Sequence, residues 1–285
     1  MNKIKIMSGF VLAVSLSASA ATAYAANNHP IRIDGVSVVS DALPEVKNSR
    51  MMVPLRVISE NLGATVEWSK SVVTIKKDSM KVTLKTNDRA ATKNDANIQL
   101  DVLPYVKNNR VYVPLRFIAE TFNCKVNYSD TAVTVDTAPL TIDGVKVKTL
   151  QQEYHMTMGG VVQQINGNAI NAGIYDILVK NKGAKVAAPA SYSWSVNIDV
   201  PGSYYKNGQY DFMDAKGVSI KRFDIYSLVE AFPKETLAGY PSVLIHDPTP
   251  NEWYLFSMSA RDAIIQLTDT ATKNGAVKVI SNTVV

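Results

Sequence analysis

Arg110-Val111-Tyr112-Val113-Pro114-Leu115-Arg116-Phe117-Ile118-Ala119-Glu120 repeats, sixty positions on, the pattern of Arg50-Met51-Met52-Val53-Pro54-Leu55-Arg56-Val57-Ile58-Ser59-Glu60. Immediately before each copy stands a turn-forming pair, in Val46-Lys47-Asn48-Ser49-Arg50 and in Val106-Lys107-Asn108-Asn109-Arg110. Asn and Ser tolerate the left-handed backbone of a two-residue hairpin, so a β-hairpin is expected whose return strand, 51–53 or 111–113, runs into the proline. The proline is expected at the first helical position, where its missing N–H would have had no partner. Leu55, Ile58 and Leu62, like Leu115, Ile118 and Phe122, recur at i, i+3 and i+7 and predict a short helix with one buried face. Gly63 and Asn123 then follow, the two residue types that best accept a left-handed helix stop.

A second hairpin is expected after each helix: 65–68 with 72–75 around Ser69-Lys70-Ser71, and 125–128 with 132–135 around Ser129-Asp130-Thr131. Trp68 and Tyr128 correspond, and each is expected to cover its helix. Between the copies, strands are expected at 81–85 and 97–102 around an Asn94-Asp95 turn. The expected fold class is α+β: a duplicated antiparallel β-hairpin/short-helix module followed by a second α+β domain.

On these residues, 31–137 resembles the copper amine oxidase N-terminal-like domain, or stalk domain, of Gram-positive secreted and surface proteins. The paired turn-Arg-x-x-Val-Pro-Leu-Arg-x-Ile-x-Glu carries the resemblance, with Asn-Ser and Asn-Asn where the family often has Asn-Gly. In amine oxidases the domain is an appendage remote from the active site, so the resemblance implies a stalk-like scaffold. The oxidase itself would need a quinone-forming tyrosine in Asn-Tyr-Asp/Glu and three histidine copper ligands. Asn127-Tyr128-Ser129-Asp130 reads instead as a strand aromatic before a turn. His29, His155 and His246 are far apart, so neither copper nor another cofactor is expected.

Lys3 and Lys5, an apolar stretch at 6–16 and Ala23-Tyr24-Ala25 read as a signal peptide over 1–25. The apolar run is shorter than the roughly 20 residues of a membrane span, so a secreted chain with no span after cleavage is expected. Its 285 residues and 46% apolar content suit two domains with real cores. A net charge of +5, or +3 without Lys3 and Lys5, is too mild to argue for nucleic acid. Cys124, the single cysteine, excludes an intramolecular disulfide and is expected to be a small buried hydrophobe.

Residues 137–140 read as a linker and 141–285 as the second domain. Ile142-Asp143-Gly144-Val145 echoes Ile33-Asp34-Gly35-Val36, with no Val-Pro-Leu-Arg behind it. Alternation over 193–200 puts Trp194, Val196, Ile198 and Val200 on one face of an expected half-buried strand. Asp224 is expected to cap a helix carrying Ile225, Leu228, Val229 and Phe232. Residues 240–245 and 253–258 are expected to pair across Asp247-Pro248-Thr249-Pro250-Asn251. Ser259-Ala260-Arg261-Asp262 reads as a capping box, Asn274-Gly275 as that helix's stop, and 277–280 as a closing strand. Asp211 and Asp214, with Asn207 and Gly208, could offer oxygen ligands to calcium, but without regular alternate spacing and a closing Glu they are expected in a solvated loop. No nucleophile elbow, phosphate loop or zinc-protease motif is present.

The candidate binding residues are Arg56, Arg116, Trp253 and Tyr254. Each arginine is expected to pack its stem on the sheet and turn its fork to hairpin carbonyls, the alternative being an anion or glycan contact. Trp253 and Tyr254, with Tyr192, Tyr204, Tyr205 and Tyr210, suggest either a glycan-stacking surface or core packing. The expected function is a secreted, non-enzymatic cell-envelope protein: a stalk-like adhesion scaffold presenting its C-terminal domain to a cell-wall polymer or another envelope protein. Self-association through exposed strand edges is a further reading. The alternative is a secreted hydrolase of polysaccharide or peptide using Asp199, Asp211 or Asp224, which requires two carboxylates about 5–10 Å apart.

Overall fold

The turn residues place the first elements. β1 (Ile31–Ile33) and β2 (Val36–Ser37) join through Asp34-Gly35, and β3 (Glu45–Lys47) reaches β4 (Arg50–Pro54) through Asn48-Ser49. Asn48 and Ser49 have φ of 50° and 57°, the backbone a tight two-residue hairpin requires. Pro54 is the N-cap of α1 (Leu55–Asn61), with ψ at 113°, and not the first helical residue as expected. Its place opposite Tyr112 in the ladder keeps it extended, so the helix starts one residue later. Leu55, Ile58 and Leu62 are buried as expected. The helix ends in a Schellman motif: Gly63 has φ 78°, its N–H donates to Glu60 O at 3.0 Å, and the Ala64 N–H donates to Ser59 O at 2.9 Å.

A five-stranded meander follows: β5 (Thr65–Ser69), β6 (Val72–Lys77), β7 (Met80–Lys85), β8 (Ala90–Lys93) and β9 (Ala96–Gln99). The Asn94-Asp95 turn joins β8 to β9, so the strand expected over 97–102 is shorter, and β8 has no counterpart in the sequence expectation. The chain then runs through β10 (Tyr105–Lys107), β11 (Arg110–Pro114), α2 (Leu115–Thr121), β12 (Lys125–Tyr128) and β13 (Val133–Asp136). Asn108 and Asn109 take φ of 48° and 57°, and Asn123 takes 57° at the stop of α2. β4 and β11 pair antiparallel at the centre of the sheet β10-β11-β4-β3, Val53 opposite Val113. β1 pairs parallel with β13, tying the start of this unit to its end. One apolar cluster gathers Val53, Leu55 and Ile58 with Val113, Leu115 and Ile118. Cys124 is buried in it, and burial pushes its thiol pKa up to about 11. Trp68 and Tyr128 do not bury themselves over the helices; they remain 43% and 50% exposed.

The chain from 141 onward is organised by one large sheet. A small hairpin, β14 (Thr141–Ile142) and β15 (Val145–Lys146), repeats the Asp-Gly turn of β1 and β2. Next come β16 (Thr149–Met156), β17 (Gly159–Ile165), α3 (Asn168–Lys180), β18 (Lys185–Val186), β19 (Tyr192–Ser193), β20 (Tyr204–Met213) and β21 (Ser219–Leu228). β22 (Val243–Asp247), β23 (Glu252–Leu255), α4 (Met258–Lys273) and β24 (Val277–Asn282) complete it. The strand order is β18-β23-β22-β21-β20-β16-β17-β24, with β19 alongside β20. Ile170, Ile174 and Leu178 of α3 and Ile264 of α4 pack on Leu150, Phe212, Phe223, Ile225 and Ile245. Tyr204, Tyr226, Leu228, Leu244 and Trp253 form a separate apolar cluster. The Asp34 carboxylate links the two regions, accepting from the backbone N–H of Thr137 at 2.8 Å and of Asn168, at the start of α3, at 2.9 Å.

Several expectations are corrected here. The strand expected over 193–200 is only Tyr192–Ser193, and Val196, Ile198 and Val200 are exposed in an irregular loop. The helix expected after Asp224 is strand β21: residues 223–229 are all buried, and a run buried on both faces has no alternation to separate it from a helix. Asp211 lies within β20, not in a solvated loop. α4 is capped by Ser257, whose Oγ accepts the Ala260 N–H at 3.0 Å, so Ser259 lies inside the helix. Its stop at Asn274-Gly275 and the closing strand β24 agree with expectation. The computed structural model describes residues 30–77, 79–129, 132–156 and 158–285. The expected signal peptide, His29 and the Asp130-Thr131 turn lie outside them.

Candidate functional site

The ladder register places a polar cluster on the sheet face turned away from α3 and α4. Asp224 lies opposite Gln209 on β20 and His246 on β22, and His246 lies opposite Trp253 on β23. Asp224, 2% exposed, accepts two hydrogen bonds from Arg222, Nε at 2.9 Å and Nη2 at 2.8 Å. The Lys206 ammonium stands 3.2 Å from the same carboxylate. Burial pulls the Lys206 pKa below the usual lysine value, with Asp224 opposing, while the hydrogen bond to Asp224 raises that of Arg222. His246 stacks on Trp253 with centroids 4.4 Å apart, its Nε2 2.9 Å from Asn251 Oδ1 and its Nδ1 3.7 Å from Asp224. With both its oxygens held by cations, Asp224 is placed to pin strands together rather than to trade protons.

On the helix side, Asp247 accepts from Lys182 at 2.8 Å and Lys221 at 2.7 Å, and both ammonium groups lie over the Phe223 ring. Burial acts to raise the Asp247 pKa, but the two lysine hydrogen bonds outweigh it and hold it below the usual carboxylate range. The remaining carboxylates of the hydrolase reading have partners of their own. Asp211 accepts from Gln209 at 2.7 Å and Ser219 at 3.0 Å, and Asp199 stands in the exposed loop. Asp211 and Asp224 share a sheet face but are held by separate groups.

The expected site residues are not brought together. Trp253 is buried between Tyr192 and Tyr226, with ring centroids 4.7 Å and 4.9 Å away. Tyr254, next along β23, points to the opposite face, where its hydroxyl donates to Glu252 and Lys182 lies 4.8 Å over its ring. Arg56 and Arg116 leave more than half of their side chains exposed, at 55% and 54%. Their ion-pair partners are Glu60 at 3.4 Å and Glu120 at 3.7 Å, one helical turn on, and not the hairpin carbonyls expected. Arg116 also lies 5.6 Å over the Tyr128 ring.

Sequence reasoning takes the loop between β19 and β20 for a strand. Trp194 stacks on His155 at 4.0 Å, and the Lys206 ammonium lies 4.5 Å from its ring. At the far end, Ser203 donates to Val200 O through its N–H at 3.2 Å and its Oγ at 2.5 Å. Gly202 has φ 77°, and a Cβ there would stand 2.2 Å from the Tyr240 ring, so a larger residue would strain the backbone and push that ring aside. Between these anchors Val196 and Ile198 face solvent. The Pro201-Gly202 pair was the available signal for a turn, but the preceding alternation reads as a strand.

These features define a mixed α+β protein, mostly sheet, with a buried ionic network and an exposed, anchored loop. Residues 32–137 match the family described as the copper amine oxidase N-terminal domain. A protein named "Protease inhibitor" from Brevibacillus choshinensis is 24% identical over 169 residues, covering 57% of this chain and 52% of the relative. The chain thus spans about half the length of that curated relative. No solved structure matches. Among the described residues, no helix is long and apolar enough to cross a membrane, and no three His, Cys, Asp or Glu side chains gather as a metal site would need.

Proposed function

We propose that this chain is an exported, non-enzymatic cell-envelope protein. Residues 31–137 are a duplicated stalk-like scaffold, and 141–285 is a second domain that presents a binding surface to a wall polymer or an envelope protein. The match of 32–137 to a domain that is an appendage in amine oxidases supports the scaffold role. The anchored loop carries the binding role: it holds Val196 and Ile198 in solvent, 57% and 62% exposed, on a frame fixed at Trp194 and Ser203. Apolar side chains held out in this way reduce the ordering cost of association. The test is retention by isolated cell walls. Ile198→Asp is expected to lower retention of the full chain severalfold without unfolding it; unchanged retention removes the loop from this role.

A second reading, that the anchored loop enters a peptidase cleft, is favoured by the relative's name together with the loop's exposure. Incubation with subtilisin-type and trypsin-type peptidases tests it. Saturable loss of peptidase activity that Ile198→Asp relieves supports inhibition, and rapid cleavage of the loop with full peptidase activity rejects it.

A further inference from the structure

Five residues of the first passage of the N-terminal unit have a counterpart sixty positions on in the second: Asp41 and Asp101, Arg50 and Arg110, Pro54 and Pro114, Arg56 and Arg116, Trp68 and Tyr128. Arg110 of one hairpin pairs with Asp41 and lines a recess of about 320 Å³ with Arg56 and Trp68. Arg50 of the other hairpin pairs with Asp101 and lines a recess of about 250 Å³ with Arg116 and Tyr128. Each recess therefore takes its hairpin arginine from one passage and its helix arginine and aromatic ring from the other. The β4–β11 register is symmetric about Val53 and Val113, with Pro54 opposite Tyr112 and Pro114 opposite Met52. The two recesses consequently sit at opposite ends of that strand pair, related by an approximate two-fold axis.

The chemistry of both recesses is the same. An aromatic ring about half exposed stands beside two guanidinium groups with their donors in a planar fork; in the Tyr128 recess the Arg116 guanidinium lies 5.6 Å over the ring, so a ligand there displaces it or takes the ring's other face. Each arginine has a carboxylate partner, Asp41, Glu60, Asp101 or Glu120, so its charge is balanced close by; Asp41 itself lines the Trp68 recess, while the partners of Arg50 and Arg116 stand just outside the Tyr128 recess. The helix Arg–Glu pairs are loose and exposed, worth under about 1 kcal/mol, so a ligand can exchange with them at low cost. A balanced donor–acceptor rim next to an aromatic floor suits a hydroxyl-rich ring with an apolar C–H face.

We propose that these recesses are two equivalent glycan sites, each taking one pyranose ring stacked on Trp68 or Tyr128 with its hydroxyls on the neighbouring arginine–carboxylate pairs. The N-terminal unit then binds sugar itself, independently of any partner of the C-terminal half, and two sites on one rigid unit give avidity for a polymer.

The probe is N-acetylchitotetraose, a neutral oligosaccharide, titrated into the full chain by calorimetry. Two molecules bound per chain are expected, falling to one in Trp68→Ala and in Tyr128→Ala and to none in the double variant. Both rings are exposed, so circular dichroism is expected to be unchanged. Arg56→Gln and Arg116→Gln are expected to keep the fold and weaken their own site by about tenfold. Absence of saturable binding overturns the proposal, as does a stoichiometry that the aromatic substitutions leave alone. Binding only to polygalacturonate, abolished by salt and indifferent to Trp68 and Tyr128, overturns it in favour of simple charge attraction.

Discussion

The N-terminal unit keeps the ion pairs that join its two passages at the surface, Arg50 to Asp101 and Arg110 to Asp41, whereas the C-terminal sheet buries Asp224 and Asp247 with their cations. The contrast teaches where each region gets its definition. In the first, apolar packing gathers around α1 and α2, and the charges at the hairpins stay open to solvent. In the second, charges have been desolvated between strands, where a pair stabilises little overall but is expensive to break.

The contrast predicts its largest effect at Asp224. Asp224→Ala leaves buried Lys206 and its neighbour Arg222 without their counter-charge, and urea denaturation is expected to register a loss of about 3–5 kcal/mol. A loss under about 1 kcal/mol there would mean that the cluster is hydrated like a surface pair. Leu115→Ala, a core truncation in the N-terminal unit, is expected to cost about 2–4 kcal/mol by the same measurement.

A pH-dependent effect comes next. The native pKa of Asp247 is lowered, so its contribution is fully present above the ordinary carboxylate value near about 3.9 and is lost as pH falls through the lower native value. Acid titration of stability is expected to show this fall, and Asp247→Asn to flatten it. Gly63→Ala forces an alanine into φ 78° with its Cβ 3.3 Å from Ala169 O, and about 1–2 kcal/mol is expected from thermal or urea unfolding. Smallest is Asp101→Ala, which breaks the exposed pair with Arg50 and is expected to cost less than about 1 kcal/mol. A cost there equal to that of Asp224→Ala would erase the distinction between the two regions.

The sequence was most legible where turn chemistry and short amphipathic helices are decisive. Asn48-Ser49, Asn108-Asn109, Gly63 and Asn123 each require a left-handed backbone, and the residues announce it locally. The C-terminal sheet is harder because its central strands are covered on both sides. Phe223 to Leu228 is uniformly buried, which erases the period of two, and Asp224 reads as a helix cap because one of its partners, Lys206, is brought to it by pairing with β20 and not by nearby sequence. The loop with Val196 and Ile198 failed in the opposite direction: its alternation was real, but nothing in those residues reveals that no neighbouring strand covers them. Trp253 and Tyr254 are adjacent in the sequence, yet strand geometry sends them to opposite faces. Arg56 and Arg116 were legible as a repeated pair, while the recesses they line depend on how the two passages face each other across β4 and β11.

The most direct test of binding without catalysis is incubation of the full chain with purified cell walls, measuring both the protein retained on sedimentation and the sugar or peptide released into solution. Saturable retention with release no greater than in buffer is the predicted result. Failure to sediment at any wall concentration, or soluble product that grows with time, contradicts it.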